Sequence, residues 1–254
     1  MSKEEDLLRN LRQMIKEQGI ESFHLLEELV PMREQMEFFR RSDISRRKSS
    51  SFDIDEEIVV LFSSNQTIDR KKECLLRLSS IPDVKAYRAI ETYHSSPQEE
   101  ELHNWSTMAL LGSKIILSSN LSGQQQVYIS SGLGGLDKKL RFFGLFSTQN
   151  REPLTDLQRK IIDREFRFQF RQNDIDIEEF DIKENYFTIL MLFPIETDAR
   201  DSISTTIEEI NMYGNFLDTK YLFTNVSILE ADEIEDILNR RNSTNESREL
   251  DEIL

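Results

Sequence analysis

QQQVYISSGLGGLDKKLRFFGLFST, residues 124–148, decides how the rest of the chain is divided. Both ends of the stretch are rich in β-branched and aromatic residues, so Gln126–Ser131 and Lys139–Thr148 read as strands. Between them lie Gly132, Gly134 and Gly135, which supply the backbone freedom of a tight turn. The stretch therefore predicts a central β-hairpin, with similar kinds of element on either side.

Outward toward the C-terminus, Thr155 precedes a helical run in which Leu157, Ile161, Ile162, Phe166 and Phe170 share a face. Ile175–Lys183 alternates as a strand, Glu184-Asn185 turns the chain, and Tyr186–Ile195 is its most apolar strand. Ser202–Leu217 reads as a helix and Lys220–Leu229 as a closing strand. The order is β-α-β-β-α-β.

Outward toward the N-terminus, Glu57–Ser63 (EIVVLFS) has the length and β-branching of a buried strand. Ile68–Leu78 reads as a helix and Val84–Thr92 as a half-exposed strand. Ser96, Pro97 and Glu99 have the spacing of a capped helix start, with the helix continuing to about Leu121. This half is β-α-β-α-β, close to a copy of the other. Further out, residues 3–18, 21–30 and the run after Pro31 have narrow apolar stripes at helical spacing.

The β-α-β-β-α-β order resembles the ferredoxin-like superfold. The expected class is α+β, two ferredoxin-like halves joined by the hairpin and preceded by a helical extension. The expected divisions are 1–40 (helical extension), 41–54 (basic, serine-rich linker), 55–131 (first half), 132–229 (second half) and 230–254 (acidic helix and tail). Fold resemblance alone assigns no activity.

Charge narrows the partners. The net charge is -15, and the tail after Leu229 is strongly acidic, which disfavours nucleic acid and anionic lipid unless a basic stripe intervenes. One such stripe exists: Arg40, Arg41, Arg46, Arg47 and Lys48, read as a tether that can touch an anionic partner. One cysteine, Cys74, excludes an intrachain disulfide and reads as a buried, inert thiol. The N-terminal residues lack the apolar run of a signal peptide, and no stretch has spanning length, so a cytoplasmic chain without membrane contact is expected.

Candidate chemistry is sparse. Gly132, Gly134 and Gly135 with Lys138, Lys139 and Arg141 could face an anion through amides and cations. A nucleotide loop needs a helix after the glycines, however, and here a strand follows. His94 and His103 flank an acidic run, while His24 is distant. With no further ligand at metal spacing, no metal and no cofactor are expected, though either ring could serve as a general base. Phe142, Phe143, Phe146, Tyr186 and Phe187 lie on would-be central strands, where the RNA-recognition motif stacks bases. The apolar run after Phe187 reads as core instead.

No catalytic residue is named, and the expected function is a non-enzymatic interaction or regulatory protein. It would act through protein partners or self-association of its N-terminal helices, with nucleic acid unlikely. The alternatives are a small-molecule or nucleotide site at the seam of the halves, and RNA or ribosome association through the basic stripe.

Overall fold

In the computed structural model, residues 23–48, 51–123 and 127–240 are described. The chain divides into two compact units, the first Ile15–Gly134 and the second built on Gly135–Leu254. The fold mixes helices with an antiparallel sheet.

The first unit is helical. Strand β1 (Phe23–Leu25) is followed by α1 (Met32–Lys48), α2 (Ile54–Phe62), α3 (Ile68–Leu78), α4 (Val84–Ser95) and α5 (His103–Ser122), with β2 (Val127–Ile129) after them. Strands β1 and β2 pair in parallel, Phe23 opposite Val127 and Leu25 opposite Ile129. The core gathers Leu26, Val30, Phe38, Leu61, Leu75, Ile90, Tyr93, Trp105 and Met108.

This unit corrects the expected first α/β half. Glu57–Ser63 and Val84–Thr92 lie in helices α2 and α4. The deciding signals are caps. The Asp53 carboxylate accepts from the amides of Asp55 and Glu56, and that of Asp83 from Lys85 and Ala86. Three acidic residues in the first turn of α2 also suit the positive end of its dipole. Ala86, Ala89, Ile90 and Tyr93 are buried, a helical spacing, whereas Val59 in the β-branched run is 70% exposed.

Glu99 caps nothing. Ser96 ends α4, and Glu99 meets the fully buried Lys71 at 2.5 Å and accepts from Tyr93 Oη at 2.5 Å. The expected linker is a helix through Lys48, and the expected helix over 21–30 holds β1 with an irregular segment after it that bends at Glu28. The helix expected over 3–18 and the tail beyond residue 240 lie outside the described residues.

The second unit is a sheet with helices. Its elements are β3 (Gly135–Leu136), β4 (Lys139–Ser147), α6 (Asp156–Gln172), β5 (Asp176–Ile182), β6 (Tyr186–Pro194), α7 (Ala199–Asn211) and β7 (Leu222–Thr224). Residues 231–240 form a further helix, α8. The sheet order is β3-β4-β6-β5, with β7 also on β4, and every pairing is antiparallel.

From β4 to β7 the element order is the one read from sequence. Thr155 closes a full capping box with Gln158, which starts α6 where expected. One face of α6 carries Ile162, Phe166 and Phe170, all buried. Phe166 meets Phe146 and Phe187 edge-on at 5.2 and 5.4 Å, while Phe146 and Phe187 stack at 4.9 Å across β4 and β6. These aromatics are core, as is Phe142, stacked on Phe223 at 4.3 Å.

The central hairpin is the main correction. Val127–Ile129 pairs with β1, and Phe142–Leu145 pairs with β6 and β7 in the other sheet. The partner of β4 in a tight hairpin is β3, and the turn residues are Asp137 and Lys138, at φ 48° and 65°. With the hairpin goes the expected seam.

Candidate functional site

The first unit brings one chemically capable cluster together: Glu28, His94 and His103. His94 sits in the last turn of α4 and His103 is the first residue of α5. A short connector with a single 3₁₀ turn, Glu100–Leu102, reverses the chain between them. The end of one helix thus lies beside the start of the next, and the two imidazoles stack at 5.3 Å, 22° from parallel.

Glu28 arrives from another part of the chain. The Leu26 amide donates to the Ile129 carbonyl at 3.0 Å, extending the β1–β2 pairing toward it. Gln35, 1% exposed, donates through Nε2 to the Val30 carbonyl at 2.7 Å and the Ser131 carbonyl at 2.8 Å. The segment after β1 is therefore fastened on both sides of Glu28. Its carboxylate places Oε1 2.9 Å from His94 Nε2 and Oε2 3.1 Å from His103 Nε2. Thr107 Oγ1 stands 3.0 Å from Oε2.

Hydrogen bonding favours one tautomer of His94. Ser106 Oγ donates to the His103 carbonyl at 2.7 Å, which uses its only hydrogen. In the tautomer that completes this network, His94 Nδ1, 3.2 Å from that oxygen, carries the proton and donates it. In neutral His94 the Nε2 lone pair consequently points at a carboxylate oxygen. Two lone pairs at 2.9 Å repel unless a proton or a metal ion sits between them.

A metal ion meets that requirement. One ligand atom from each of the three residues lies within 4.8 Å of the other two. Bonds of about 2.0–2.2 Å at near-tetrahedral or right angles put neighbouring ligand atoms about 3–3.5 Å apart. The two N···O separations, 2.9 and 3.1 Å, fall beside that range. Side-chain exposure is 16% for His94, 42% for Glu28 and 46% for His103, so water reaches the cluster.

The residues singled out from sequence sit elsewhere. Gly132 and Gly134 belong to the turn at the end of the first unit, where the Gly134 amide donates to the Ser131 carbonyl at 3.3 Å. Gly135 is in β3 and Lys138 in its turn. Lys139 Nζ meets Asp174 and Asp176 at 3.0 and 2.7 Å, and Arg141 meets Glu178 at 2.5 Å. Burial disfavours both cations, and these carboxylates outweigh it and hold Lys139 and Arg141 in their charged forms. An anion would have to displace them.

Arg40, Arg41, Arg46, Arg47 and Lys48 all lie in α1. Arg41 is a packing residue, paired with Asp69 at 3.1 Å and placed 5.3 Å from the Trp105 ring centre. The side chains of Arg46, Arg47 and Lys48 lie outside the described residues.

Cys74 is fully buried, and its thiol is pushed up to about 12 by burial and by the Glu57 carboxylate. Among the described residues no helix is long and apolar enough to cross a membrane.

No family model matches the chain, and no curated protein does. Among solved structures, it is similar to a REP-associated tyrosine transposase bound to a REP hairpin, at 11% identity and a TM-score of 0.32. That likeness covers 36% of this chain, which spans 59% of the other's length. It is also similar to a Deinococcus radiodurans R1 protein assigned as a transposase, at 14% identity and a TM-score of 0.34, covering 41% of this chain and 90% of that one.

The expected regulator with protein partners and no nucleic acid finds no counterpart in these two transposases, one of them holding a REP hairpin, and is withdrawn. Likeness at this level carries no activity to this chain. The cluster stands on its own geometry.

Proposed function

We propose that the first unit binds a divalent transition-metal ion through Glu28, His94 Nε2 and His103 Nε2. The observation that carries this reading is convergence: two imidazole nitrogens from different helices meet the two oxygens of one carboxylate at 2.9 and 3.1 Å, with a ligand atom of each residue within 4.8 Å of the others. Two imidazoles and one carboxylate suit zinc, cobalt or ferrous iron over magnesium or calcium, which prefer oxygen throughout. Three protein ligands leave a position for water, as in catalytic rather than structural zinc sites. In such a site the bound ion acidifies its water and polarises a substrate oxygen.

The test is titration of the full chain with Co(II), read by visible absorption and by fluorescence of Trp105, the single tryptophan. One equivalent should bind, be displaced by Zn(II), and be indifferent to excess Mg(II). His94→Ala and His103→Ala should each loosen binding at least about a hundredfold, as expected when a ligand is removed. Wild-type binding no tighter than that of the double variant would overturn the reading.

For the second unit we infer a ferredoxin-like arrangement. The support is its strand order, β7-β4-β6-β5, with α6 and α7 supplying the two crossovers. The superfold hosts many unrelated functions, so the reading describes a scaffold. All three histidines and the cysteine precede Gly135, so no histidine chemistry resides in this unit's sequence.

A further inference from the structure

We propose that Gly134 is a positioning residue for the carboxylate arm of the metal site, an inference that rests on reading Glu28, His94 and His103 as that site. Glu28 is the ligand that comes without a helix to orient it. Its backbone is fastened at Leu26 and Val30, and between them it packs closely against Gly134.

A Cβ at Gly134 would stand 2.6 Å from the Glu28 carbonyl oxygen, 2.7 Å from the Glu27 carbonyl oxygen and 3.0 Å from the Glu28 carbonyl carbon. All three are backbone atoms, so no side-chain rotation relieves the contact. The turn that brings Gly134 there is defined from within. Its amide donates to the Ser131 carbonyl at 3.3 Å, Ser131 Oγ donates to the Gly134 carbonyl at 3.1 Å, and Gln35 clamps the Ser131 carbonyl. The glycine stretch that reads in sequence as a hairpin or an anion loop thus lets one backbone lie directly against another.

The chemistry makes that approach matter. A metal site tolerates misplacement of a ligand by only about 0.5 Å. A methyl group at position 134 must push residues 27–28 away, and the Glu28 carboxylate moves with them. The two histidines, on α4 and α5, stay in place. The ion would then have the nitrogen ligands and a displaced oxygen.

Gly123 supplies a matched control. Its φ, 66°, is nearly that of Gly134, 64°, but nothing lies within 4 Å of its would-be Cβ. Alanine at either position carries the same left-handed backbone strain, and only Gly134→Ala adds the collision.

The experiment is a Co(II) titration, with Zn(II) competition, of wild type, Gly134→Ala, Gly123→Ala, Ser131→Ala and Glu28→Gln. Gly134→Ala should loosen Co(II) by about tenfold or more, the range seen when support of a ligand is lost. Its visible spectrum should move toward that of Glu28→Gln, because the oxygen ligand is what changes. Gly123→Ala should keep wild-type affinity and spectrum. Ser131→Ala, a milder loosening of the turn, should weaken binding about threefold and keeps the test open if Gly134→Ala does not fold.

Wild-type binding with unchanged affinity in Gly134→Ala, or in Ser131→Ala where Gly134→Ala yields no folded protein, overturns the positioning role and leaves the metal site standing. Equal weakening in Gly134→Ala and Gly123→Ala also overturns it, since strain alone would then explain the loss. No Co(II) binding by wild type removes the site itself, and the positioning role with it.

Discussion

His94 Nε2 stands 2.9 Å from Glu28 Oε1, joining the end of a helix to a bend far away in sequence. The same ring turns its other nitrogen toward Ser106 Oγ at 3.2 Å. One imidazole is therefore held at both ends, by a carboxylate in front and by a hydroxyl behind.

The hydroxyl behind it gives the first prediction. Ser106→Ala removes the hydroxyl that stands 3.2 Å from Nδ1 and helps orient the His94 ring. Zn(II) affinity should fall about tenfold. Thermal unfolding without metal should move little by comparison, and metal affinity equal to wild type would contradict this orienting role.

Glu57 gives the second. Its carboxylate, 4% exposed, accepts from Arg70 at 2.8 and 3.0 Å and from Arg77 at 2.7 Å. Burial raises its pKa, but the hydrogen bonds, from Arg70 above all, outweigh burial and hold it below the ordinary glutamate value. A depressed folded-state pKa stabilises above the unfolded value and loses that contribution as pH falls through the folded one. Glu57→Gln, which leaves two partly exposed guanidiniums facing a neutral amide, should cost about 1–3 kcal/mol at neutral pH. The gap between variant and wild type should shrink below about pH 4. Denaturant unfolding at pH 7 and pH 3.5 measures both, and a gap that stays constant would refute the assignment.

Cys74 gives the third. With its thiol buried and pushed up to about 12, the nucleophilic thiolate is scarce at any ordinary pH. An aromatic disulfide reagent at pH 8 should leave the folded chain unmodified and titrate one thiol per chain in denaturant. Fast labelling of the native protein would show that the helical core opens readily.

Gly144 gives the fourth, in the sheet. A Cβ there would stand 2.7 Å from Met191 Cε and 2.7 Å from Phe146 Cε2. The methionine can bend aside, but the Phe146 ring is fixed by Phe187 and Phe166. Gly144→Ala should destabilise the unit by about 1–3 kcal/mol. Hydrogen exchange would report it as lost amide protection along β4 and β6, and unchanged protection would mean the pocket relaxes freely.

The legibility of the fold differed between the units for local reasons. From β4 onward, Thr155 marks a helix start and the apolar run Tyr186–Ile195 marks β6, and both agree with the tertiary result. In Glu57–Ser63 the β-branched residues pointed one way and the Asp53 cap the other. The cap prevailed, because Glu57 and Leu61 share the buried side of a helix. The weight given to Val59 and Val60 was misplaced, since Val59 faces solvent.

The site was less legible still. His94 and His103 are plain in the sequence, but their meeting depends on where α4 stops and how Glu100–Leu102 turns. Nothing near Glu28 in sequence marks it as their partner.

By itself the sequence determined the local: which segments start with a cap, which alternate, where the acid accumulates, and that one thiol excludes a disulfide. Only the tertiary structure decided that Val127–Ile129 pairs with Phe23–Leu25, and that Glu28 closes on two histidines. Caps and periodicity act within a few residues and leave their mark in the order of the chain. Strand partners and ligand sets are chosen by packing between distant segments, where the free energy of burial and charge pairing depends on positions the linear order does not contain.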